Sequence, residues 1–103
     1  MRKSINALVT FPSAQKEIVS GLEMMNFVSG IIFKHYGEGI RLAGIERFRW
    51  PYPLPKEEEA FLRIVDRGKK TISDVPLRFI SVRMLGTKSQ KVVMYGLFEF
   101  IEM

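Results

Sequence analysis

The sequence predicts an α+β fold in which two helices pack on one face of a mostly antiparallel sheet. Several segments alternate apolar and polar residues with the period of two that is typical of strands. Two further segments carry helical spacing or helical start signals, and they fall between the predicted strands. The chain has 103 residues, 47% of them hydrophobic, which suits one domain core. We therefore expect a single domain over residues 1–103.

The first predicted strand covers residues 5–11, and the first predicted helix follows with Ser13 as its N-cap. Apolar residues recur in this helix at a spacing of three and four: Ala14, Ile18, Leu22 and Met25. The end of the helix leaves two alternatives. Gly30 can stop it, so that residues 31–36 form a strand, or the helix can continue through Val28, Ile32 and Tyr36. We favour the stop, because residues 31–33 are apolar and two of them are β-branched.

The second predicted helix covers residues 56–67, after an extended connection over residues 51–55 that contains three prolines. Pro55 suits a first helical turn, three glutamates at positions 57–59 complement the helix dipole, and Gly68 suits the exit. Its predicted buried stripe consists of Phe61, Ile64 and Val65. Strands over residues 77–85 and 91–102 then flank a turn at residues 86–90. The resulting order resembles a ferredoxin-like layout with an extra strand, which is a similarity of layout only.

The segment from residue 40 to residue 50 is predicted to be a strand with two chemically different faces, entered through a turn at residues 37–39. Even positions place apolar side chains on one face: Ile40, Leu42, Phe48 and Trp50. Odd positions place three arginines on the other face: Arg41, Arg47 and Arg49. Such a face suits either a phosphate-rich ligand or plain solubility.

Positive charge favours a polyanionic partner, since the chain has a formal net charge of +5. Basic residues on the final strands extend the arginine face. The predicted residues for binding single-stranded nucleic acid are Arg41, Arg47, Arg49, Arg78, Arg83, Lys88 and Lys91.

The last predicted strand is apolar on both faces, so both faces need a cover. A small domain supplies two cover layers with difficulty, and a second subunit is one way to provide them. We therefore expect a homo-oligomer whose interface includes Val92, Met94, Phe98 and Phe100.

Residues for enzyme chemistry are scarce. The chain has no cysteine, which excludes disulfides and thiolate metal sites, and its only histidine is His35. No nucleophile, dinucleotide or phosphate-loop motif is complete. We therefore expect no catalytic residues, no metal, no cofactor and no enzyme activity.

These observations predict a non-catalytic, oligomeric binding protein that contacts nucleic acid through its basic strand face. The alternative is a small protein-binding adaptor or inhibitor, of the kind encoded by mobile elements. It would dock a partner protein through the apolar last strand or the proline segment. Neither a secretory signal nor a membrane-spanning stretch is apparent, so we expect a cytoplasmic protein without a membrane partner.

Overall fold

The computed structural model describes residues 4–102, and this part of the chain forms five strands, one α-helix and one short 3-10 turn. The turn, Gly37–Gly39, follows the helix directly. In chain order the elements are β1 (Ser4–Val9), α1 (Gly21–Tyr36), β2 (Ile40–Arg49), β3 (Ala60–Ile72), β4 (Val75–Gly86) and β5 (Val92–Glu102).

All five strands belong to one sheet, in the order β1-β3-β4-β5-β2, and every neighbouring pair is antiparallel. The β3–β4 connection is a two-residue turn in which Ser73 and Asp74 have φ values of 51° and 65°. Positive φ at both turn positions matches the right-handed twist of the flanking strands. The strands predicted at residues 5–11, 40–50, 77–85 and 91–102 are thus found with shifts of one or two residues at their ends. The predicted α+β class with an antiparallel sheet is confirmed.

The helix begins later and ends later than predicted. Ser20, not Ser13, is the N-cap, and it forms a reciprocal capping box with Glu23. The helix then passes Gly30, which is exposed, and continues to Tyr36. The alternative that continued the helical spacing is therefore the one observed, and residues 31–36 form no strand. In the described chain no helix is long and apolar enough to cross a membrane.

The second predicted helix does not exist, because residues 60–72 form the long strand β3 between β1 and β4. Ala60, Leu62 and Ile64 are buried, while Phe61 is 43% exposed, so the segment has the period of a strand. Gly68 lies at a register shift in β3 with φ of 96° instead of ending a helix. With one helix in residues 4–102, the two-helix, ferredoxin-like layout is not found.

The core lies between the helix and one face of the sheet, which we call the inner face. Met24, Val28 and Ile32 of the helix are buried in the same cluster as the large side chains of β5. Met94, Phe98 and Phe100 are each 0% exposed within the single chain. The helix therefore covers the inner face of β5, whereas Tyr95 on the opposite face is 44% exposed. In addition, β5 lies between β4 and β2, so it has no free edge for a partner.

Candidate functional site

A pocket of about 410 Å³ opens at the start of the helix. The segment between β1 and the helix forms one wall, and the first helical turn forms the other. The lining residues are Ser13, Gln15, Lys16, Ile18, Ser20 and Glu23. Polar groups thus surround the one helix end at which backbone N–H groups face outward.

The capping box does not occupy every backbone N–H group of the first helical turn. The Ser20 N–H donates to Oε1 of Glu23, and the Glu23 N–H donates to Oγ of Ser20, each at 3.1 Å. The Met24 N–H donates to the Ser20 carbonyl. Of the first helical N–H groups, those of Gly21 and Leu22 have no partner within residues 4–102. Glu23, a half-buried residue, therefore shares the first helical turn with two N–H groups that can bind an oxyanion.

Trp50 packs directly against the first helical residue. A Cβ on Gly21 would lie 2.8 Å from Cε2 of the Trp50 ring, so only glycine fits here without displacement. The proline segment after Trp50 holds the wall of the pocket, since the Val19 N–H donates to the Leu54 carbonyl at 2.9 Å. Residues 51–55 lie outside the five strands, and Pro55 forms an isolated β-bridge with Ile18.

The opposite end of the helix carries a closed polar network. The Tyr36 hydroxyl and Nη1 of Arg78 both donate to Oδ2 of Asp66, the latter at 2.6 Å. Arg78 also binds Glu102, which accepts from Nζ of Lys69 at 2.7 Å. Burial and the hydrogen bond to Asp66 raise the pKa of Tyr36 to about 12. Every charged group here has a partner, so the network joins the helix end to the sheet.

The pKa of Asp66 reflects a balance of opposing causes. Burial would raise it, but hydrogen bonds from Tyr36 and from the Gly68 N–H, together with Arg78, hold the pKa of this carboxyl below its usual value. Asp66 is therefore ionised at neutral pH and acts as an anchor for its donors, with little tendency to accept a proton.

A groove of about 790 Å³ lies on the sheet face opposite the helix, which we call the outer face. Arg63 and Arg83 are direct partners across β3 and β4, and their chain neighbours Leu62, Ile64, Val82 and Met84 are buried toward the helix. The arginine groove, as we name it, is lined by Ser4, Arg47, Arg63, Val65, Arg67, Ser81, Val82, Arg83, Val92, Tyr95, Gly96 and Leu97.

The predicted nucleic-acid residues do not form one surface. Of the seven, only Arg47 and Arg83 line the arginine groove. Arg78 lies in the polar network and is paired with two carboxylates. Nζ of Lys91 lies 4.8 Å from the Tyr52 ring centroid. The others, Arg41, Arg49 and Lys88, are exposed outside the groove.

Two bulges in β2 explain why its arginines separate. Register shifts occur between Leu42 and Gly44 and between Glu46 and Arg49. At the second shift Arg47 has a φ of 55°. An extra residue interrupts the alternation of side chains. On the predicted apolar face, Ile40 and Phe48 are buried as predicted, whereas Leu42 and Trp50 are 38% and 40% exposed.

Sequence reasoning missed three site residues. Glu23 carried a usable signal, because Ser-x-x-Glu from residue 20 to residue 23 is the pattern of a capping box. Arg63 and Arg67 carried none, since both were assigned to a helix that does not form. Among residues 4–102 no group of three or more potential metal ligands is found.

Comparisons with known proteins identify the fold. No protein-family model matches the sequence. No curated protein matches it significantly. Among solved structures, a monoamine oxidase regulatory protein from an Archaeoglobus species is similar, with a TM-score of 0.75 at 10% identity over 97% of this chain and 88% of that chain.

Two enzymes are similar to the same degree. The (R)-hydratase from A. caviae involved in PHA biosynthesis has a TM-score of 0.73 at 13% identity, over 95% of this chain and 92% of that one. An acyl-CoA hydrolase from Staphylococcus aureus, in complex with butyryl coenzyme A and coenzyme A, also has a TM-score of 0.73 at 13% identity. That match covers 99% of this chain, which spans 63% of the hydrolase.

At these identities the likeness shows the fold, which is hotdog-like: an antiparallel sheet of five strands with a single helix. The predicted non-catalytic nucleic-acid binder and its adaptor alternative are contradicted, because several proteins with this fold are acyl-CoA hydrolases and hydratases. The same enzymes contradict the prediction of no enzyme activity.

Proposed function

We propose that the protein hydrolyses acyl thioesters, such as those of coenzyme A, at the pocket beside the helix start. The observation that carries the proposal is that Glu23 lines the pocket and belongs to the first helical turn, in which the N–H groups of Gly21 and Leu22 have no partner within residues 4–102. It occurs in a fold that is shared with acyl-CoA hydrolases over nearly the whole chain.

In this proposal the thioester carbonyl oxygen accepts hydrogen bonds from the N–H groups of Gly21 and Leu22. Water attacks the carbonyl carbon, and the Glu23 carboxylate takes the proton of that water. The C–S bond then breaks, and the proton passes from Glu23 to the leaving sulfur. The products are a carboxylic acid and a thiol, and no redox partner is needed.

Hydrolysis suits this chain better than hydration of a double bond. Hydration needs one group to deliver a proton to carbon while another activates water, and histidine with a carboxylate is a common pair for such work. The only histidine, His35, lies twelve positions after Glu23 in the same helix. A rise of 1.5 Å per residue separates them by roughly 18 Å. A single carboxylate is sufficient for hydrolysis.

The first prediction concerns Glu23→Gln. The amide keeps the capping interaction but cannot take a proton, so we expect kcat for butyryl-CoA hydrolysis to fall by about 10² to 10⁴. A thiol reagent measures the product without background, because the chain has no cysteine. Glu17→Gln is the matched control, since Glu17 is exposed and does not line the pocket.

Equal activity of Glu23→Gln and the parent would remove Glu23 from the mechanism. If no thiol is released from acyl-CoA substrates of short, medium or long chain, the hydrolase proposal fails. If crotonyl-CoA loses its enoyl absorbance with the thioester intact, the reaction is hydration instead.

We also propose that the protein is a dimer that pairs through strand β2. This strand is one edge of the sheet, and it exposes Leu42 and Ile45, the latter to 45%. Pairing two such edges would satisfy backbone groups and bury both side chains.

A further inference from the structure

We propose that the arginine groove binds a nucleotide with at least two phosphates, either free or as the end of a larger cofactor. The groove lies on the sheet face away from the helix and its pocket. The inference therefore does not depend on thioester hydrolysis, and the two can fail separately.

The charge of the groove is unbalanced. Four arginines line it, and no aspartate or glutamate does. Arg63 faces Arg83 directly across the strands, an arrangement in which like charges repel. Within residues 4–102 none of the four forms an ion pair. An anion between the opposed guanidinium groups would replace this repulsion with charge-assisted hydrogen bonds.

The positions of two arginines are set by their local structure. Nε of Arg67 donates to Oγ of Ser81 at 2.9 Å, which orients the guanidinium before any ligand arrives. Arg47 lies at the β2 bulge with a φ of 55°. Unlike glycine, L-residues adopt this backbone conformation only at a cost in free energy. Strained backbone of this kind is concentrated at binding sites.

Size and lining favour a nucleotide over a bare ion. The volume of about 790 Å³ falls in the range of small-molecule sites and exceeds the needs of one phosphate. Val65, Val92 and Leu97 provide an apolar surface, and the Tyr95 ring is 44% exposed. A base can stack on such a ring while the arginines hold a diphosphate.

Calorimetric titration of the full chain with ADP, coenzyme A, AMP and inorganic phosphate tests the inference. We expect ADP and coenzyme A to bind more tightly than AMP or phosphate. Equal affinity for ADP and coenzyme A indicates that the groove contacts the nucleotide alone, and tighter binding of coenzyme A indicates that it also contacts the rest of the larger cofactor. Arg83→Gln should weaken ADP binding by about tenfold or more.

Two variants separate binding from folding. Arg47→Gly removes a guanidinium and relieves the positive φ, so it should bind ADP more weakly while its melting temperature stays equal or rises. Arg41→Gln removes the same charge from an exposed position outside the groove, and it should bind like the parent.

Three results would overturn the inference. The first is an absence of ADP binding at millimolar concentration. The second is an equal loss of affinity in Arg41→Gln and Arg83→Gln, which would indicate net charge alone. The third is phosphate binding as tight as ADP binding.

Discussion

Asp66 of β3 joins the end of the helix to strands β3 and β4. It accepts from Tyr36, Arg78 and the Gly68 N–H, and it is 8% exposed. Breaking a hydrogen-bonded ion pair in such a position leaves the donors without a partner. The network therefore contributes to stability.

The second prediction is that Asp66→Asn lowers the free energy of unfolding by about 1.5 to 3 kcal/mol at pH 7. The pKa of Asp66 is lower in the folded chain than in the unfolded one. Its contribution is therefore complete above the unfolded pKa, near 3.9, and is lost as the pH falls through the folded pKa.

Urea unfolding at pH 7 and at pH 3 measures the free energy of unfolding of both proteins. The difference in this free energy between Asp66→Asn and the parent should be smaller at the lower pH. Asp74→Asn is the control, because Asn tolerates the positive φ of that turn position. An unchanged gap across the pH range would show that charge is not the cause.

Two glycines, one in a strand and one in the helix, differ in the space available for a side chain. A Cβ on Gly96 of β5 would overlap the ring of Phe48, whereas a Cβ on Gly30 of the helix would meet nothing within 4 Å. Phe48 reaches Gly96 because the β2 bulge turns it into the core. The bulge and the glycine thus form one packing unit.

The third prediction follows from this contrast. Gly96→Ala should lower the free energy of unfolding by about 1 to 3 kcal/mol through overpacking. Gly30→Ala should raise it by about 0.5 to 1 kcal/mol, because alanine favours the helix. Chemical denaturation of both variants beside the parent is the measurement. If both substitutions changed the free energy of unfolding in the same direction, the result would contradict the packing described at Gly96.

At the scale of the whole molecule, the dimer is the fourth prediction. We expect light scattering to give twice the chain mass of 11.9 kDa. The substitutions Leu42→Lys and Ile45→Lys place positive charges that repel each other across the proposed interface. They should convert the protein to a monomer without unfolding it, since both side chains are exposed in the single chain. A parent that is monomeric at high micromolar concentration would contradict β2 pairing.

Burial argues against the interface predicted from the sequence on β5, and the dimer that we propose pairs through β2 instead. Met94, Phe98 and Phe100 lie under the helix, and only Val92 among the four predicted residues is partly accessible. A homo-oligomer remains a prediction, as do the cytoplasmic location and the single-domain assignment.

Local alternation and the prolines are sufficient to predict the α+β class, four of the five strands and the connection over residues 51–55. The capping pattern at residues 20–23 is also visible in the sequence. The conformation of residues 60–72 depends on tertiary contacts, because start signals for a helix compete there with a period of two. Pairing with β1 and β4 satisfies the backbone of this segment and buries Leu62 and Ile64, which outweighs local propensity.

The two candidate sites also depend on tertiary contacts. The pocket requires the helix start to meet the segment before it, and the arginine groove requires β2, β3 and β4 to lie in one sheet. Arg47, Arg63 and Arg83 are far apart in the chain. Bulges and strand order bring them together, and neither can be deduced from the alternation within a single strand.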